Sequence, residues 1–209
     1  CSCRSPEAGD GSGTVTQDAF SVYERAPRPV RVGVPAPRFD LPCTSPDGKR
    51  ALRVRLASFK GHWLTLLFYA HDFAFLSPNE LRSFDLRFDE FRKADCALLA
   101  LSVDSLDSHR RWLQTPVEQG GLGALRFPLA ADTSGETVTA YGVFDPRAQA
   151  AAPATCLVDP AGVVRHVAHH HPMVGRSVSE TLRVLHALRG GELCPADWQQ
   201  GEQALVPLM

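Results

Sequence analysis

Between residues 35 and 189 the apolar positions switch between continuous runs and steps of three and four, and each switch marks a change of element. Trp63 to Tyr69 (WLTLLFY) is an almost unbroken apolar run, as a central strand covered on both faces requires. Leu81, Phe84, Phe88 and Phe91 then recur at helical spacing, which predicts one amphipathic helix over 78–93. Residues 97–103 read as a second buried strand, 108–114 as a helix, 127–130 as a short strand and 135–141 as another helix. Residues 155–158 and 163–170 read as the arms of a hairpin around the turn Asp159-Pro160-Ala161-Gly162. Ser177, with Glu180 three residues on, predicts the capped start of a last helix. Val178, Leu182, Leu185 and Leu188 give that helix its apolar face. This order of elements predicts an α/β fold, with a mixed central sheet and helices on both faces.

The pattern is absent at both ends. Residues 1–34 are rich in Gly, Ser, Pro and Arg and read as a flexible arm; 190–209 read as a polar tail around Cys194 and Trp198. Hydrophobic residues make up 44% and charged residues 22%, which suits a globular domain. A net charge of −1 offers no basic field for nucleic acid or an anionic membrane. No apolar run approaches the roughly 20 residues that span a bilayer.

Six cysteines are too few for a disulfide scaffold. Cys96 and Cys156 sit in apolar runs and read as core thiols, whereas Cys1, Cys3, Cys43 and Cys194 lie in segments that read as exposed. Ser77-Pro78-Asn79-Glu80 fits a capping box with proline at the first helical position, which gives Ser77 a structural role. The competing role is a serine nucleophile with His71 as base and Asp72 nearby, but no nucleophile-elbow motif accompanies it. His166, His169, His170 and His171 form a dense group. On a strand His169 and His171 share a face and are weak candidates for metal ligands, yet no Cys, Asp or Glu lies close in sequence to complete a site.

Several blocks resemble the typical two-cysteine peroxiredoxins, the alkyl hydroperoxide reductase and thiol-specific antioxidant family. They are VGVPAPRFDLP (32–42), LLFYAHDFAFLSPNEL (66–81), LSVDSLDSHRRWLQT (101–115), GGLGALRFPLAAD (120–132), LVDPAGVVRHV (157–167), VGRSVSETLRVLHAL (174–188) and GELCPADWQQGE (191–202). Their order implies a thioredoxin-like peroxiredoxin fold over 35–189. The wording of the third and last blocks is similar to plastid and cyanobacterial members. In the family, the segment matching the histidine group lies where two subunits join their sheets, so the resemblance implies a polar dimer interface there.

The resemblance also implies what is missing. The family's catalytic loop carries proline, threonine and cysteine where this chain has Ala70, Ala74 and Ser77, and an arginine where it has Pro153. Cys194 matches the family's resolving cysteine. A peroxiredoxin thiolate attacks peroxide and becomes a sulfenic acid that a second thiol resolves; a serine hydroxyl does neither. The expectation is a catalytically degenerate member without cofactor. It would act as a structural or regulatory subunit, in a homodimer, in a heterodimer with an active peroxiredoxin, or in a larger assembly. The alternative is a thioredoxin-dependent thiol peroxidase or thiol exchanger that uses Cys43 or Cys194. The compartment expected is an organelle after loss of a targeting peptide, the chloroplast ahead of the mitochondrion. The alternatives are the bacterial cytoplasm or a lipoprotein anchored at Cys1.

Overall fold

A computed structural model describes residues 30–206. Its centre is a seven-stranded sheet formed by β1 (Asp40–Thr44), β2 (Ala51–Arg55), β3 (Trp63–Phe68), β4 (Cys96–Ser102), β5 (Leu129–Ala131), β8 (Ala154–Val158) and β9 (Val164–His169). Across the sheet their order is β2-β1-β5-β4-β3-β8-β9. β3 runs parallel to β4 and β4 to β5, while β8 lies antiparallel to β3 and β9 to β8. β6 (Phe144–Asp145) and β7 (Ala150–Ala151) form a separate two-stranded hairpin.

The parallel strands need crossovers, and helices supply them. α1 (Ser77–Leu86) and α2 (Phe88–Lys93) connect β3 to β4, and α3 (Leu106–Gln114) connects β4 toward β5. α4 (Glu136–Ala140) follows β5, and α5 (Val178–Gly190) follows β9. Strand alternation divides the core in two. Leu64, Leu66 and Phe68 of β3 pack on one face with Leu99, Leu101, Val138 and Tyr141. Leu67 and Tyr69 point to the other, against Leu81, Phe84, Phe91, Trp112, Leu182 and Leu185. This is the mixed sheet with helices on both faces that the periodicity predicts.

The single helix expected over 78–93 is two helices. Arg87, at φ −107° and ψ 16°, leaves helical geometry between them, and its N–H bonds Phe84 O at 3.2 Å instead of the carbonyl four residues back. The apolar stripe survives the break, because the rings of Phe84 and Phe91 still meet at 5.8 Å. At α5 the expected cap is present: Ser177 Oγ accepts from the Glu180 N–H at 3.1 Å. Most of the expected arm lies outside the described residues, but its last part is docked on the sheet. The Gly33 N–H donates to Val164 O at 2.8 Å, and the Val164 N–H to Val34 O at 2.9 Å. The tail is anchored too: Trp198 is buried, and its indole N–H donates to Glu202 O at 3.0 Å. None of the described helices is long and apolar enough to cross a membrane.

Candidate functional site

β3 ends at Phe68, and residues 69–76 cross the carboxyl end of the sheet before α1 begins at Ser77. Ligand sites in open α/β sheets favour this end. Ser77 is 5% exposed. It does not cap the helix as the capping-box reading expects: the flanking residue is Leu76, in helical conformation, and no side chain caps α1. Glu80, the other half of that expected box, is engaged elsewhere. Its carboxylate accepts from Arg176 Nη2 at 2.9 Å, from Arg176 Nε at 3.0 Å and from the Arg176 backbone N–H at 2.9 Å. Arg176 Nη1 donates to Phe68 O at 3.1 Å and to Ala154 O at 3.2 Å. One buried guanidinium therefore ties the end of β3, the start of β8, helix α1 and the approach to α5 around Ser77.

A second buried network holds the loop. Asp72 accepts from the Tyr69 hydroxyl at 2.9 Å, and its Oδ2 lies 2.8 Å from His109 Nδ1 of α3. His109 Nε2 lies 3.2 Å from Ala130 O. The Asp72 backbone N–H donates to Asp104 Oδ2 at 2.9 Å, and the Ser102 hydroxyl donates to the same oxygen at 2.8 Å. Phe73 takes a left-handed φ of 57°, a strained conformation for an aromatic residue, and rests on Trp112 at 6.0 Å between ring centroids. The structure exchanges the acid that the serine-nucleophile reading expects beside His71. Asp72 orients His109 rather than His71, and His71 Nδ1 instead lies 3.4 Å from Asp104.

Ala70 and Ala74 are half-buried on the same loop. Pro153, at the entry to β8, is also half-buried, and its carbonyl accepts from the His170 N–H at 2.9 Å. The structure thus gathers Ala70, Ala74, Ser77 and Pro153 at one end of the sheet, but with methyl groups, a hydroxyl and a pyrrolidine. Cys43 departs from its expected exposure: strand alternation on β1 turns it into the core at 2% exposed, and burial raises its thiol pKa. Cys96 and Cys156 are buried as expected, and burial pushes both thiols up to about 12. A raised thiol pKa removes the reactive thiolate. Cys194 is half-buried in the tail, its Sγ 3.7 Å from Glu192 O. Arg176 and His109 were not singled out from sequence, because nothing local marks a charged residue whose partners lie tens of residues away.

The histidine group is also rearranged. β9 ends at His169, so strand alternation does not carry His169 and His171 onto one face; His171 Nδ1 instead accepts from the Met173 N–H at 3.3 Å. Among the described residues no group of three or more His, Cys, Asp or Glu is placed to hold a metal ion. Burial holds the imidazoles of His166, His170 and His186 below the ordinary histidine value of 6.5. The unfolded chain therefore binds more protons than the folded one just below that value. Stability is full above it and falls as pH drops through the folded values. Melting curves should show a lower Tm at about pH 5.5 than at about pH 7.5, a window above the usual carboxylate range. The drop should shrink in His166→Asn/His170→Asn; an equal drop in that variant would count against it.

Residues 32–167 match the model of the AhpC/TSA family. The chain belongs to the AhpC/TSA family, the peroxiredoxins. A homologue from the rubredoxin operon of Clostridium pasteurianum is 41% identical over 174 residues, covering 83% of this chain and 98% of its own. Peroxiredoxin-2 of Macaca fascicularis is 38% identical over 181 residues, covering 85% and 90%. Among solved structures, the reduced 2-Cys peroxiredoxin of Plasmodium vivax superposes with a TM-score of 0.81 at 33% identity, over 84% of this chain and 93% of that one. AhpC of Mycobacterium tuberculosis gives 0.73 at 30% identity, over 82% and 100%. The fold is that of a peroxiredoxin.

Proposed function

We propose that this peroxiredoxin-fold chain lacks peroxidase chemistry and serves as a structural or regulatory subunit. The observation that carries this reading is the site at the start of α1. Ser77 offers a hydroxyl that does not ionise near neutral pH, in a position only 5% exposed. The guanidinium that reaches this end of the sheet, Arg176, is held by Glu80 and two main-chain carbonyls rather than presented to a ligand. Peroxide consumption with thioredoxin, followed against a no-protein control, tests it.

Family membership favours a second reading, a thiol peroxidase or thiol exchanger acting through another cysteine. Cys194 suits it better than Cys43, because Cys194 is half-buried in the tail and Cys43 is sealed in the core. Activity that disappears in Cys194→Ser or Cys43→Ser would establish this reading in place of the first.

The proposed subunit contact is edge to edge through β9. That strand ends the sheet, and beyond Val164 its outer edge carries no strand partner among the described residues. Exposed strand edges invite pairing, and a second copy or an active peroxiredoxin closes this one. Light scattering should show a dimer at micromolar concentration. A monomer there would remove the homodimer and leave only the mixed assembly.

A further inference from the structure

At the other end of β3 from Ser77 lies a cavity of about 650 Å³, bordered by Leu64 and by its cross-strand partner Val158. This volume is typical of sites for small organic ligands. Phe39, Leu56 and Phe59 supply the larger side chains of its apolar wall. Its rim is charged and the balance is positive. Asp40 is neutralised by Arg53 at 2.5 Å and Arg55 at 2.8 Å, and Asp159 by Arg165 at 2.7 Å. His62 Nδ1 lies 2.7 Å from Asp95. Arg38 and Lys60, both exposed on the rim, have no ion-pair partner among the described residues.

We propose that this cavity binds an amphipathic anion, a single carboxylate on an aliphatic chain. The chain lies among Phe39, Leu56, Phe59, Leu64 and Val158, and the carboxylate faces Arg38 and Lys60. Two features select this class. The wall offers apolar area with few polar groups, so it rewards methylenes rather than a sugar or a base. The rim offers cations at the mouth, so it rewards one terminal negative charge that stays near water. Withdrawing each methylene from water raises affinity about fourfold. The site is separate from Ser77, so the inference stands or falls independently of the missing peroxidase chemistry.

The test is a titration of the full chain with decanoate, below its micelle concentration and at low salt, followed by backbone amide shifts in NMR. The expected result is saturable one-to-one binding, with shifts in residues 56–60 and 158–162. Octanoate should bind on the order of tenfold more weakly, two methylenes being removed. Arg38→Glu/Lys60→Glu should weaken decanoate at least about tenfold, and Ala57→Trp, which fills the mouth, should do the same. These positions are exposed, so the spectra of the variants should keep the dispersion of the folded chain. Shifts confined to another region, no saturation up to about 1 mM, or decanol binding as tightly as decanoate would overturn the proposal. So would a double Glu variant that remains folded and binds decanoate unchanged.

Discussion

Ser77→Cys alone should reduce peroxide on the order of 10²–10⁴-fold more slowly than an active two-cysteine peroxiredoxin. The new thiol sits at the first turn of α1, where the helix dipole favours a thiolate. It still lacks the threonine hydroxyl and the arginine that the family resemblance places around it, since Ala74 and Pro153 occupy those positions. A charge-assisted hydrogen bond contributes roughly 1.5–3 kcal/mol, and each 1.36 kcal/mol of barrier is tenfold in rate. Arg176 cannot stand in, because Glu80 and two carbonyls already hold it. Restoring all four positions with Ala70→Pro, Ala74→Thr, Ser77→Cys and Pro153→Arg should recover most of the loss. The Pro153 carbonyl, which accepts from His170, is kept in that variant. Stopped-flow rates for the single and quadruple variants measure this. A single variant as fast as a family member would mean that the scaffold is still organised for catalysis.

Arg176→Ala should destabilise the fold by about 3–5 kcal/mol, the usual cost of leaving a buried charge without its partner. The pair is sealed from water, with side-chain exposures of 1% for Arg176 and 4% for Glu80. Removing Arg176 also strips two carbonyls, Phe68 O and Ala154 O, of their donor. For a chain of this length each kcal/mol moves Tm by about 2–4 °C, so a fall of roughly 6–20 °C is expected. The apolar double variant Arg176→Met/Glu80→Leu should lose much less, because no charge is then stranded in the core. Thermal melts followed by circular dichroism separate the cases. Equal losses in the single and double variants would show that the hydrogen bonds to Phe68 and Ala154, not the stranded carboxylate, dominate the cost.

Most elements that bury a long regular face were legible in the sequence, while the short ones and β1, whose alternation spans only five residues, were missed. β3, β4 and β8 are covered on both faces, and α5 shows its apolar face and its Ser177 cap, so their patterns stand out. β2 turns only Val54 fully into the core and so carries no alternation to read. β6 and β7 are two residues each, too short for any period. At the site, Ala70, Ala74, Ser77 and Pro153 could be singled out only through the family resemblance. Their surroundings were not legible, because tertiary partners override local signals. Glu80 belongs to Arg176 rather than to a capping box, and Asp72 to His109 rather than to its neighbour His71. Cys43 is followed by the polar Thr44 and Ser45 in sequence, yet its strand turns it inward.

Peroxide consumption by the purified full chain, with thioredoxin and its reductase supplied, tests the proposed loss of peroxidase chemistry most directly. The expected rate equals that of the no-protein control, because Ser77 supplies no thiolate, and burial raises the thiol pKa of Cys43, Cys96 and Cys156. Turnover comparable to an active two-cysteine peroxiredoxin, abolished by Cys194→Ser or by Cys43→Ser, would contradict it and make this chain a working thiol peroxidase.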